Sequence, residues 1–251
     1  MFSLVVAIGI AVLLFSCGVL GLFLQRRLAE HHTSDRSRDM IGGVVGLLTL
    51  LLALVLGLLI WTAYGVFTMQ QNELQLMSAR ALEFDLELRQ YGPEASHGRE
   101  LLRTDLVWAH EQFWGSEDAM AQAYTASYAN MGTVTDFLGS LHPTTDVQKQ
   151  LLGAAHQHYG SIGETRLLMS LQLTNPISWP LIITVTAWSC LLFCGFGMLS
   201  RINATTLTAL ALGTCSVASA IFLILELSQP YTSLLRISPA GLEQVIVDLD
   251  K

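Results

Sequence analysis

Four stretches of the chain, 2–24, 40–67, 177–199 and 207–227, are apolar over enough residues to cross a bilayer. A hydrocarbon core ~30 Å thick needs about 20 residues of helix at ~1.5 Å per residue. The second stretch, Met40 to Phe67, runs for 28 residues without a charge, which at that rise is about 42 Å of helix. The surplus predicts that this span continues past the membrane into the polar segment behind it. There the pattern becomes amphipathic. Leu74, Met77, Ala81, Phe84, Leu88 and Tyr91 recur alternately three and four apart, the spacing of a helix–helix seam. Gly92 and Pro93 end that helix, and a second carries Leu102, Leu106, Ala109 and Phe113 before stopping near Gly115. A third shows Met120, Tyr124, Ser127, Met131, Val134, Leu138 and Leu141. After the break LHPTT, a fourth carries Leu152, Ala155, Tyr159, Ile162 and Met169. Beyond the last span, Ser238 as N-cap and Pro239 at the first helical position predict a tail helix with Leu242, Val245, Ile246 and Leu249 on one face. This helix is expected to dock on the bundle or on a neighbouring subunit.

The expected fold is therefore an all-α membrane protein with four transmembrane helices, a helical-bundle insertion between the second and third, and an amphipathic C-terminal helix. Residues 1–67 hold the first two spans and a basic loop, 68–176 the bundle, 177–227 the last two spans, and 228–251 the tail. Composition agrees: 52% apolar and 13% charged residues over 251 positions are too apolar and too charge-poor for an ordinary soluble domain. The first span lacks a basic start and a small-residue cleavage site, so it is expected as a retained helix rather than a signal peptide.

Charge adds orientation. Arg26, Arg27, Arg36 and Arg38 lie between the first and second spans and Arg201 between the third and fourth. Short cytoplasmic loops accumulate such cations. Both loops are thus expected in the cytoplasm of a bacterium, with the protein in the inner membrane. The amino terminus, residues 68–176 and the tail are then periplasmic. Trp61, Tyr64 and Trp179 sit where an outer aromatic belt would be. A net charge of −7 with no Lys/Arg-rich run excludes a nucleic-acid surface. The expected partners are the lipid bilayer, further copies of the chain and a permeant ion.

Reactive chemistry is sparse. Cys17, Cys190, Cys194 and Cys215 all fall inside apolar spans and read as small hydrophobes. His156 and His158 are two apart, so on a helix they face different ways. His31 and His32 lie in the basic loop, and His97, His110 and His142 have no ligand-spaced partners. Glu83, Asp85, Glu87, Glu111, Glu117 and Asp118 read as a solvated face. No nucleotide or hydrolase fingerprint is present. No catalytic residue, cofactor or metal is expected, and the protein is not expected to be an enzyme.

Within the spans the only acid is Glu226, near the outer end of the fourth. Buried charges mark proton and ion-coupling sites, so their scarcity argues against a coupled transporter. Two roles are open to Glu226: pairing with Arg236 across the turn at Pro230, or facing headgroups at the interface. Gly42 with Gly46 and Ala53 with Gly57 form small-residue pairs on the second span, and Ala211, Cys215 and Ser219 repeat on the fourth. Such faces let helices approach, within one subunit or between subunits. Were the second span to line a pore, Thr49 and Thr62 would be its hydroxyls among Leu and Val, and it would gate by dewetting.

The strings RDMIGGVVGLLTLLLALVLGLLIWTAYGVF, YGPEA and AIFLILELSQPYTSLLRISPAGL resemble the bestrophin-like domain family of bacterial four-span membrane proteins, over nearly the whole length. The resemblance implies four spans, a helical insertion between the second and third, and a name borrowed from bestrophins, which are pentameric anion channels. It points to Asp39, Gly42, Gly43 and Gly46 at the mouth of the second span, and to Glu226, Pro230, Arg236 and Pro239 after the fourth. The chain departs from bestrophins in two ways. Its arginines place the insertion outside rather than in the cytosol, and it carries no aromatic-ring motif or acidic calcium clasp. An oligomeric ion channel or channel-like protein is the leading expectation, and a non-conducting scaffold or sensor whose bundle binds a partner or ligand is the alternative.

Overall fold

The computed structural model describes residues 2–27, 35–115, 132–173, 179–231 and 233–250. Among these there are helices and no strand. The elements are α1 (Phe2–Arg27), α2 (Asp35–Tyr91), a short 3-10 turn (Pro93–Ala95), α3 (Ser96–Trp114), α4 (132–140), α5 (Asp146–Leu173), α6 (Trp179–Leu199), α7 (Ala204–Leu227) and α8 (Ala240–Asp248). Four of them, α1, α2, α6 and α7, are long and apolar enough to cross a membrane. Met120, Tyr124, Ser127 and Met131 of the expected third bundle helix lie outside the described residues, as do Glu117, Asp118, His31 and His32.

The second span does run on: α2 is one helix of 57 residues. It stops where Gly92 takes φ 132°, a left-handed value that glycine adopts without a Cβ clash, and Pro93 cannot continue the ladder. The chain forms two compact units, with the first comprising Met1–Gly65 and Ile177–Ser228 and the second comprising Val66–Pro176 and Gln229–Lys251.

In the first unit α1 and α6 run parallel. Phe2 meets Trp179 edge-on at 6.2 Å near their starts. Near their ends the helices nearly touch, since a Cβ on Gly21 would strike the Cys194 carbonyl and one on Gly197 would strike the Gly18 carbonyl. The α6–α7 hairpin turns at Asn203, whose Oδ1 accepts from the Thr206 N–H at 2.6 Å. Ile10, Leu14, Ile182, Leu192, Leu210 and Ile221 share its core with Leu52 of α2. Small residues at helix crossings replace the hydrophobic drive that lipid removes.

The second unit is built on the seam read from the sequence. Met77, Ala81 and Phe84 are fully buried and Leu74, Leu88 and Tyr91 nearly so. They join Leu102, Leu106, Leu138, Tyr159 and Met169 in one core, together with Leu242 and Val245 of α8 and Leu249 at its C-cap. Of the two docking sites expected for the tail helix, the structure uses the bundle. Its start differs by one residue: Pro239 is the N-cap, α8 begins at Ala240, and the Ser238 hydroxyl accepts weakly from the Ala240 N–H at 3.3 Å.

Candidate functional site

Gly42, Gly46, Thr49, Ala53 and Gly57 on α2 are spaced four, three, four and four apart, which at ~100° per residue keeps them within a stripe about 80° wide. Thr62 sits roughly half a turn away from Gly57 by the same rotation. Among the described residues, no other element lies within 4 Å of a Cβ built on Gly42, Gly43, Gly46 or Gly57. These glycines are therefore not used for close packing inside the first unit. Thr49 and Thr62 donate to the carbonyls of Val45 and Leu59 at 2.8 and 3.0 Å, so both hydroxyls are satisfied by their own helix. Val44, Leu47, Leu50, Leu54, Leu58 and Trp61 are exposed, while Val45, Leu52 and Ala63 form the buried edge. Only 17% of the most apolar window of α2 is buried, against 39% for α6.

The close contacts lie on helices whose glycines were not singled out in the sequence. Gly18, Gly21, Gly195 and Gly197 of α1 and α6 each have another element where a Cβ would stand. Gly21 and Gly197 mark the α1–α6 crossing, whereas Gly18 meets Leu210 of α7 and Gly195 meets Val45 of α2. Of the repeat on α7, Ala211 is half-buried and Cys215 and Ser219 are exposed. The four cysteines are free.

Glu226 is 1% exposed in the last turn of α7. Arg236 is exposed in the segment before α8. The two residues belong to different units. Around them the family string has a structural use. Tyr231 donates to Gln70 Oε1 at 2.9 Å and packs on Phe113 and Trp114, with ring centroids 5.2 and 5.1 Å away. Burial first, and then the charge of Glu73, push its hydroxyl pKa up from 10.0. Ile237 donates to the Pro230 carbonyl at 2.7 Å and accepts from Trp114 Nε1 at 3.0 Å, closing the loop that leads to α8. Asp39 is exposed in the second turn of α2, and Pro239 is half-buried at the start of α8.

The second unit also corrects the sequence view of its carboxylates. Asp85 is buried between Arg89, at 2.7 Å, and Arg99. Glu87 is largely covered and lies 3.2 Å from His158. Asp105 and Arg166, each 3% exposed at the side chain, pair at 2.8 Å, and Tyr159 donates to Asp105 at 3.2 Å. Burial and then the Asp105 charge drive the Tyr159 pKa upward. None of this is visible as spacing, because Asp105 and Arg166 stand 61 residues apart. Arg89 and Arg99 also donate to the carbonyls of Asp248 and Leu249, at 3.2 and 3.4 Å, and so cap the last turn of α8. His110 faces Glu243 near its start at 3.3 Å.

These arrangements hold helices together, and none converges on a reacting atom. Among the described residues all four candidate spans keep exposed apolar faces, and α2, with its uncharged stripe, has the least-buried apolar window of the four. Sequence comparison with curated proteins finds no match. Among solved structures, a point variant of a bacterial Bestrophin homologue from Klebsiella pneumoniae is similar with TM-score 0.73 at 14% identity, over 98% of this chain and 99% of that one. Another structure of that homologue, phased on zinc, gives TM-score 0.71 at 14% identity over 96% of both chains. At that identity the likeness concerns the fold. The model of the Bestrophin-like domain matches residues 12–242. This chain belongs to the Bestrophin-like domain family.

Proposed function

We propose that the protein is an oligomeric, channel-like protein of a bacterial inner membrane that passes small ions, with α2 nearest the axis. The observation that carries this reading is the α2 stripe: it is uncharged, rich in small residues and uncovered by the described residues of its own chain. Bestrophin homologues are known as ion channels, which supports the same assignment. With no charged ring along Met40–Phe67, control of passage falls to wetting of the apolar wall. The test is ion flux from liposomes holding the purified protein. Wild type is expected to release ions above protein-free liposomes, and Ala53→Trp on the stripe to cut that flux at least five-fold. Absence of wild-type flux, or flux indifferent to Ala53→Trp, contradicts the reading and leaves the non-conducting scaffold or sensor.

The proposal includes orientation. Arg26, Arg27 and Arg201 gather at one end of the first unit, where α1 and α6 end and α7 begins. That end is assigned to the cytoplasm, and residues 68–176 with the tail to the periplasm. Alkaline phosphatase fused after Lys251 is then expected to be active in cells. An inactive phosphatase with a fluorescent protein at the same junction reverses the assignment.

A further inference from the structure

A cavity of about 440 Å³ opens in the first unit between the end of α1, the end of α6 and the start of α7. Its floor is apolar, formed by Leu22, Phe193 and Leu210, and its mouth is polar, formed by Ser200, Asn203 and Thr206. Leu22, Phe193 and Leu210 are at most 7% exposed, so the floor is fixed by the packed core of the unit. Along the chain Arg201 falls between the lining residues Ser200 and Asn203, and Arg26 follows the lining residue Leu22 by one helical turn on α1, with Arg27 next to it. All three arginines are exposed, and none forms an ion pair with another residue whose side chain is described. The volume falls in the range of small-molecule sites, roughly 300–1,000 Å³. The gradient from apolar floor to hydroxyl and amide rim to cation follows the depth profile of a bilayer leaflet.

We infer that this cavity binds an anionic phospholipid of the arginine-side leaflet, with acyl chain on the Leu22–Phe193–Leu210 floor and phosphate at the Ser200–Asn203–Thr206 rim beside Arg201 and Arg26. Charge complementarity selects the occupant. A zwitterionic lipid would satisfy the floor equally well but would bring its own cation to the arginines, whereas basic pockets between transmembrane helices favour anionic headgroups. The inference does not depend on conduction or on the assignment of the arginine side to the cytoplasm.

Native mass spectrometry of the full-length protein, released from detergent after incubation with phosphatidylglycerol or phosphatidylcholine, tests it. Phosphatidylglycerol is expected to bind at one copy per protomer at least ten-fold more tightly than phosphatidylcholine, and millimolar inorganic phosphate is expected not to displace it. Ala209→Phe, which fills the cavity from the exposed side of α7, is expected to abolish the preference, and Arg201→Gln to reduce it. Leu212→Phe on another exposed face of α7 is expected to leave it intact, so that loss of folding is distinguished from loss of the site. Equal retention of the two lipids, displacement by phosphate, or retention unchanged by Ala209→Phe overturns the inference. So does a change of oligomeric state with Ala209→Phe while lipid binding is unaltered, which assigns the cavity to a second copy of the chain.

Discussion

Removing one member of the Asp105–Arg166 pair strands a charge among Leu102, Leu106 and Tyr159, because neither side chain is more than 3% exposed. Asp105→Ala is expected to cost about 3–5 kcal/mol, while a double change to Asp105→Leu with Arg166→Met costs much less, since burying two charges is itself expensive. Thermal unfolding of the purified protein in detergent separates these outcomes, and equal losses in the single and double variants would contradict the account. Tyr231→Phe removes one bond to buried Gln70 and should cost about 1 kcal/mol. The hydroxyls of Tyr231 and Tyr159 also set a pH limit. Both pKa values lie above the ordinary 10.0 in the folded protein, so the unfolded chain releases these protons first. Their contribution is therefore complete below pH 10 and is lost as pH climbs above it toward the folded values. Denaturant midpoints measured on either side of pH 10 should fall less steeply in the double Tyr→Phe variant than in wild type.

At the scale of helices, glycines with the same sequence signature have opposite surroundings. Gly21→Ala or Gly197→Ala puts a methyl into a neighbouring backbone carbonyl, an overpacking expected to cost about 1–3 kcal/mol. Gly57→Ala meets nothing among the described residues of other elements and gains helix propensity of about 0.5–1 kcal/mol. Unfolding temperatures should move in opposite directions, while Gly57→Ala weakens assembly if α2 packs against a neighbouring copy. Arg99→Ala loses both Asp85 and the Leu249 carbonyl, so proteolysis should release α8 sooner than in wild type. What could be read beforehand followed local periodicity: the length of α2, the seam from Leu74 to Tyr91, the stop at Gly92 and the four spans. Asp85 reads as solvated from spacing alone because one of its arginine partners, Arg99, stands on the next helix. The α1–α6 crossing is not legible for the same reason, since a glycine does not name the element that stands opposite it.

For the whole molecule, membrane character and family follow from the apolar runs and from a match spanning residues 12–242. Assembly was not legible in one chain, because an apolar helix face looks alike to lipid and to a partner helix. Central to the account is that α2 lines the axis of an oligomer. The most direct measurement is oxidative cross-linking, in membranes, of a chain whose Cys17, Cys190, Cys194 and Cys215 are replaced and which carries Gly46→Cys or Gly57→Cys. The account predicts disulfide-linked dimers at both positions, and flux that falls on oxidation and returns on reduction. Protein that stays monomeric at both positions under the same oxidant, while still folded, would contradict it.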